Sequence, residues 1–339
     1  IDLFFFLIVK IRLFLYQSKI LSQIQIDIPV ISIGNITAGG SGKTPVTIFL
    51  AGKLIQRGLK VLILSRGYKS DNVNEIKVVS EGNGVLLSPS ESGDEPWLIA
   101  SKCQKSIVIV SGKRKAALQF GVAHYNPDFV LLDDGFQHLS IHRDIDIVVI
   151  NKDNVFGNGL IHPLGPLREP LSHLERADIF WHHGDILDDS LNDIDLIFPK
   201  KNLMKSKLIL SEVRNISDNT CISLEKLKSE KIFLFTGIAR PERVYHLCKR
   251  SGLDISEVHY FEDHHHYTQG SIDLLLQFAQ KSKTTFFLTT EKDAVKLLEF
   301  KDLSISLGIL IVEVQICEGS SLLNQILDFR IQQYSQKIS

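Results

Sequence analysis

The sequence predicts an α/β protein in which a mostly parallel sheet flanked by helices is followed by a smaller α/β domain. Three observations carry this expectation. Short apolar runs at 60–64, 107–110, 129–132 and 145–150 recur at helix-length intervals, the spacing of strands covered by helices on both faces. A glycine-rich loop joins another such run, 30–33, to a helix-forming segment. A polar, weakly periodic stretch from about 184 to 230 precedes a second set of apolar runs that begins at Lys231, and this sets the smaller domain apart. The expected organisation is an N-terminal amphipathic helix over 1–24, a core domain over 25–225, and a C-terminal domain over 226–339 that completes the cleft.

The first βα unit is the most informative. Residues 30–44 read VISIGNITAGGSGKT, a strand running into a glycine turn that ends in Gly42-Lys43-Thr44. Peptide N–H groups can converge on phosphate oxygens where side chains are absent, a lysine adds a point charge, and a threonine hydroxyl can ligate Mg2+. Thr37, Ala38, Gly39, Gly40, Ser41, Gly42, Lys43 and Thr44 are therefore the candidate nucleotide-binding residues. Thr37 stands where the common G-x-x-x-x-G-K-[ST] pattern has its first glycine. The helix from Pro45 to Arg57, stopped at Gly58, supplies a positive N-terminal end beside the anion site. The core is thus expected to be a P-loop NTPase binding ATP or GTP.

Composition bounds the rest. The chain has 339 residues, of which 44% are hydrophobic, enough for a substantial core. With 38 basic and 39 acidic residues the net charge is −1, so no global field favours nucleic acid. Cys103, Cys221, Cys248 and Cys317 lack C-x-x-C spacing, which argues against a zinc site or a disulfide framework and for a reducing compartment. The chain begins at Ile1, not Met, and a few preceding residues are expected. Residues 3–9 form an apolar run that Lys10 and Arg12 interrupt, too short and too charged to span a bilayer. Two readings stay open for 3–21: a helix lying in a membrane surface, or one packed on the protein's own core.

The sequence 128–135 is an apolar strand that delivers Asp133 and Asp134 at its C-terminal end, where open α/β sheets place their ligands. Both are candidates for organising Mg2+. Ser92-Gly-Asp94-Glu95-Pro96 reads either as a helix cap or as a base with a metal-associated carboxylate. Arg114, between Lys113 and Lys115, reads either as a phosphate clamp or as part of a solvated basic face. The run Asp263-His264-His265-His266 suits proton transfer by one histidine better than a metal cage, because consecutive side chains diverge. Asn151-Lys-Asp153 and Thr290-Glu-Lys292-Asp293 are loose matches to the guanine-reading N-K-x-D pattern. The Gly/Pro-rich loop 157–170 is too long for a passive connection.

In order along the chain, GNITAGGSGKTP, LSRGY, GDEP, DDGFQH, RDIDIVVI, FGNGLIHPLGPLRE, TGIARPE, FEDHHHYT and TTEKDAVKL resemble the tetraacyldisaccharide 4'-kinase family of lipid A biosynthesis. The resemblance spans roughly residues 30 to 300, and Thr37 is shared with that family. It implies transfer of the ATP γ-phosphate to the 4'-hydroxyl of a membrane-embedded tetraacyldisaccharide 1-phosphate, forming lipid IVA at the cytoplasmic face of the bacterial inner membrane. By the same resemblance Asp94, assisted by His264, is the base, and Lys43 and Arg114 serve the phosphates. Thr44, Glu95, Asp133 and Asp134 organise Mg2+, while Tyr68, His138 and Glu169 lie near the headgroup or reaction centre. A monomeric, peripheral or monotopic enzyme that does not bind nucleic acid is expected. The competing readings are a P-loop GTPase or metal-delivery chaperone, and a non-catalytic nucleotide-dependent membrane scaffold.

Overall fold

The computed structural model describes residues 2–38, 40, 42–67, 74–151, 156–184, 201–282, 284, 286–298, 300 and 306–338. The chain forms two compact units, one comprising Ile1–Lys207 with Val314–Ser339, the other Leu208–Glu313.

The first unit is built on β1 (Val30–Gly34), β2 (Val61–Ser65), β3 (Lys77–Glu81), β4 (Ile107–Val110), β5 (Phe129–Asp133), β6 (Ile145–Asn151), β7 (Ile179–His183) and the start of β8 (Asn202–Asn215). Their order is β8-β7-β6-β1-β5-β2-β4-β3. All the pairings are parallel except β3 with β4. Alternation within single strands explains the continuous apolar runs. Ile31, Ile33 and Ile63 point into one core, and Val30, Leu62 and Leu64 into the core on the opposite face. A strand covered on both sides has no polar face to show.

Helices α1 (Asp2–Gln17), α2 (Lys43–Gln56), α3 (Pro89–Ser92), α4 (Asp94–Lys102) and α5 (Arg114–Tyr125) precede or connect these strands. α2 stops where its sequence says it should. Gly58 adopts φ +79, its N–H bonds Ile55 O, and the Leu59 N–H bonds Leu54 O, the paired bonds of a left-handed helix terminus. On α1, Phe6, Val9, Leu13 and Tyr16 are half-buried while Leu7, Ile8, Ile11 and Phe14 are exposed. One face of the helix is covered, and the opposite face presents an apolar stripe beside exposed Lys10 and Arg12.

The second unit holds β9 (Cys221–Ile222), β10 (Ile232–Thr236), β11 (Ile255–Tyr260), β12 (Phe286–Thr290) and much of β13 (Ser306–Glu318). The strands β11-β10-β12-β13 run parallel, flanked by helices Glu242–Arg250, Gln269–Ser282 and Glu291–Leu297. Alternation again divides its core: Ile232 and Leu234 pack with Val244 and Cys248, whereas Phe233 and Phe235 pack with Leu275 and Phe287. A split into consecutive domains at 225 does not describe this chain. β13 leads back to the first unit, where Leu323 and Leu327 of the helix Ser320–Ile338 join the same core as Ile31 and Trp181.

Candidate active site

The C-terminal ends of β1 and β5 lie side by side, with Ile33 paired to Asp133. β1 feeds the glycine loop and β5 feeds Asp133-Asp134-Gly135, so strand pairing alone brings the phosphate loop and the acids together. Close approach then demands glycine. A Cβ on Gly135 would lie 2.7 Å from Ser32 Oγ and Leu132 Cβ, and one on Gly34 would lie 2.5 Å from Phe136 Cβ.

The loop is held from two sides. Thr37 pairs as a β-bridge with Leu167, the Ala38 N–H donates to Pro166 O at 2.7 Å, and the Arg168 N–H donates to Ile36 O at 2.7 Å. This accounts for Thr37, because a residue paired in a β-bridge needs neither a left-handed backbone nor a missing side chain. It also gives the long 157–170 loop a task, since its end is laced to the phosphate loop. Asn35, almost fully buried, donates through Nδ2 to Thr37 O and accepts at Oδ1 from Lys43 Nζ at 3.0 Å. Gln137 Nε2 donates to Asn35 O at 2.9 Å. Gly42 takes φ +83 and starts α2, with Lys43 and Thr44 in its first turn. Gly39 and Ser41 lie outside the described residues.

The charges around Asp134 are densely paired. Its carboxylate meets Lys43 Nζ at 3.3 Å and Arg168 NH1 at 3.0 Å, and its carbonyl accepts from Arg114 NH1 at 2.9 Å. Burial opposes ionisation of Asp134, but Lys43 and Arg168 outweigh it and hold the carboxyl well below the usual range. Asp134 sits at φ +51, a left-handed backbone that Asp tolerates. Arg114 is 3% exposed, which excludes the solvated-face reading for it. Burial pushes its pKa down, and Asp134 and Asp133 oppose that shift. Arg66 and Arg168 also bear on it, so the site carries clustered cations.

Asp133 behaves differently. It is fully buried, and its oxygens accept from Thr47 Oγ1 at 3.1 Å and Ser65 Oγ at 3.0 Å. Burial, then the neighbouring Glu95 and Asp134 carboxylates, raise its pKa to about 6. Glu95 therefore belongs to the same electrostatic cluster. Asp94 and Glu95 occupy the first turn of α4, whose N-cap is Gly93. Neither acid is the cap, and both gain from the helix dipole. Ser88 and Glu91 form the capping box of the preceding α3.

The remaining candidates divide. His138 hydrogen-bonds Ser140 Oγ through Nε2 at 2.9 Å. Burial first, then Arg114, Arg12, Arg143 and Arg66, depress its pKa to about 3, so it acts as a neutral group. Glu169 is buried, accepting from Arg176 NH1 at 2.9 Å and bonding His173 Nδ1 at 2.7 Å. Arg176 in turn lies 4.2 Å over the Phe136 ring. Tyr68 lies outside the described residues. His264 belongs to the second unit, at φ +60, with its N–H bonded to Gly237 O at 3.0 Å and Nε2 3.4 Å from Lys292 Nζ. Asn35, Thr47, Ser65, Gln137 and Arg168 were not singled out from sequence. Asn35, Ser65, Gln137 and Arg168 lie within the motifs GNITAGGSGKTP, LSRGY, DDGFQH and PLRE, whereas Thr47 lies outside all of them.

Neither guanine-reader match is supported as one. Lys152 and Asp153 lie outside the described residues. Asp293 is wholly buried, accepting from Thr236 Oγ1 at 2.6 Å, Thr290 Oγ1 at 2.6 Å and the Gly237 N–H at 3.0 Å. It anchors the turn after β10 and is not positioned to read a base.

A parallel sheet whose first strand delivers a glycine loop to Lys43 and whose neighbour delivers paired aspartates defines a P-loop kinase fold. The family model for tetraacyldisaccharide-1-P 4'-kinase, LpxK, matches residues 1–332. The tetraacyldisaccharide 4'-kinase of Desulfotalea psychrophila is 35% identical over 296 residues, covering 86% of this chain and 85% of that protein. That of Halothermothrix orenii is 34% identical over 345 aligned positions, covering 95% and 89%. The crystal structure of LpxK from Aquifex aeolicus in complex with ATP superposes with a TM-score of 0.76 at 28% identity, covering 97% of this chain and 96% of that one. The chain belongs to the tetraacyldisaccharide-1-P 4'-kinase family, and it is a kinase.

Proposed function

We propose that this chain transfers the γ-phosphate of ATP to the 4'-hydroxyl of tetraacyldisaccharide 1-phosphate, forming lipid IVA in lipid A biosynthesis. The observation that carries this reading is the convergence of Lys43, Arg114 and Arg168 on Asp134 beside the glycine loop, in a chain of this family. ATP in the Aquifex aeolicus structure favours adenosine over guanosine, and the burial of Asp293 supports the same choice. The GTPase and metal-chaperone readings are not favoured.

Phosphoryl transfer asks the protein chiefly for positioning and charge stabilisation. Lys43 and Arg114 hold the phosphates and offset charge on the transferred group. A sugar hydroxyl is a weak nucleophile, and Asp94 on the first turn of α4 takes its proton. Tyr68, His138 and Glu169 serve the headgroup side. His138 is a hydrogen-bonding group there because it stays neutral, and Glu169 contributes by fixing Arg176 against Phe136.

The residues fit Mg2+. Thr44, Glu95, Asp133 and Asp134 offer hard oxygen donors; burial first, and then the Glu95 and Asp134 carboxylates, raise the pKa of Asp133, and a dication would relieve the second of these. Bound there, the ion would neutralise charge on the phosphates. A tetraacylated substrate stays in its bilayer, so the enzyme must meet it at the surface. No helix among the described residues is long and apolar enough to cross a membrane. The exposed stripe of Leu7, Ile8, Ile11 and Phe14 supports a peripheral seat for α1 on a membrane surface; that this is the cytoplasmic face of the inner membrane, and that the chain acts as a monomer, are part of the same proposal.

The test is a phosphorylation assay with purified protein, ATP labelled at the γ-phosphate, and tetraacyldisaccharide 1-phosphate in mixed micelles. A product labelled at the 4' position, lost in Asp94→Asn, is expected. Folded protein that binds ATP and yields no such product would overturn the proposal.

A further inference from the structure

One buried imidazole faces the phosphate loop from below. His183 ends β7, whose residues are all buried. A Cβ on Gly42 would collide with His183 Cδ2 and lie 3.1 Å from Nε2. Gly42 is thus required twice, for its left-handed backbone at φ +83 and for the space the ring fills.

The opposite edge of the ring is fixed by a short chain of hydrogen bonds. His183 Nδ1 lies 2.8 Å from Ser206 Oγ, which accepts from Trp181 Nε1 at 2.7 Å. An indole N–H only donates. Ser206 is fully buried, and its hydroxyl hydrogen finds a described acceptor only if Nδ1 is unprotonated. The reverse tautomer would leave that hydrogen unsatisfied away from water, which is costly. The favoured arrangement therefore puts the ring proton on Nε2, the nitrogen that faces Gly42. Trp181 is itself braced edge-on by Phe49 of α2, with ring centroids 5.9 Å apart, so the chain of bonds ties β7 to the helix that the loop begins.

We propose that His183 is a positioning residue for phosphoryl transfer: its Nε2–H, oriented by Trp181 and Ser206 and set against Gly42, becomes a hydrogen-bond donor to the glycine loop when the β- and γ-phosphates bind. This rests on the reading that residues 37–44 hold nucleotide phosphates. The role is distinct from that of Lys43, which supplies charge, because a neutral imidazole supplies direction.

Substitutions that keep or remove a donor at Nε2 separate this role from simple packing. In His183→Gln the amide nitrogen reaches about the place of Nε2, in His183→Asn it reaches only that of Nδ1, and His183→Phe keeps the ring without any donor. Equilibrium titration with ATP, ADP and AMP is expected to show ATP and ADP weakened about tenfold or more in the Asn and Phe variants. The Gln variant stays within about threefold of the parent, and AMP, which has no β-phosphate, is unchanged throughout. In nitrogen-15 spectra of the unsubstituted protein His183 shows the Nε2–H tautomer, and Ser206→Ala mixes the two. Parent-like ATP affinity in His183→Phe, an Nδ1–H tautomer in the parent, or equal loss of AMP and ATP would overturn the proposal. Lys43→Ala is the control: if it too binds ATP normally, the phosphate-loop reading fails instead.

Discussion

Lys43 Nζ lies 3.3 Å from Asp134 Oδ1, so the ammonium placed to meet a phosphate already has a carboxylate beside it. Arg168 and Arg114 converge on the same residue through its side chain and its carbonyl. Asp134 is an internal anion that gathers three cations, among them the Lys43 and Arg114 proposed above to hold the nucleotide phosphates.

Removing that anion separates binding from turnover. Asp134→Ala is expected to bind ATP as tightly as the parent or more so, because the cations no longer have an internal competitor. Turnover is expected to fall by about a hundredfold or more, because their alignment is lost. Calorimetric titration and single-turnover kinetics on the same sample check both halves; loss of ATP binding would contradict the competition.

Asp133 makes stability depend on pH in a defined direction. Its folded pKa is about 6 against an ordinary 3.8, so between these values the folded chain keeps a proton that the unfolded chain has released. The contribution of Asp133 therefore lowers stability as pH rises through that window, by on the order of 3 kcal/mol once pH exceeds about 6. Asp133→Asn should remove this slope. Denaturant titrations at several values between pH 4 and 7 measure it, and an unchanged slope in the variant would count against the burial and carboxylate crowding described for Asp133.

Glu169 is predicted to matter first for stability. Deleting one partner of a buried ion pair leaves the other uncompensated, and Glu169→Ala should cost about 3–5 kcal/mol by stranding Arg176. Glu169→Gln, which retains an acceptor, should cost less. Denaturation midpoints decide the matter, since a side chain devoted to substrate alone would leave them unmoved.

The exposed stripe on α1 predicts a separation of a different kind. Leu7, Ile11 and Phe14 are 52%, 48% and 62% exposed, so replacing all three with serine should leave the thermal midpoint nearly unchanged. Co-sedimentation with anionic phospholipid vesicles should fall several-fold. A large drop in thermal stability would restore the core-packed reading of this helix.

The parallel core was legible because strands buried on both faces cannot hide their apolar runs, and the loop because phosphate binding needs glycine, lysine and threonine in a fixed order. Other features depend on contacts distant in sequence. Asn35 resembles any polar residue after a strand until its side chain is seen between Lys43 and Thr37. His183 resembles the end of a strand until Gly42 is seen above it. Arg114 illustrates the limit: between two lysines it reads equally as a phosphate clamp or as a solvated face, and only burial beside Asp134 removes the second reading. The second unit's extent was hidden for the same reason, because the return of the chain after Glu313 is a matter of packing.

That return bears on how the protein is made. Leu323 and Leu327 share the core that contains Ile31, so as the chain leaves the ribosome the first unit lacks part of its interior until all of Leu208–Glu313 has emerged. Leu208–Glu313 can finish earlier. The part of the chain that begins first is then the part that folds last, and an unsealed nucleotide site would wait through most of synthesis.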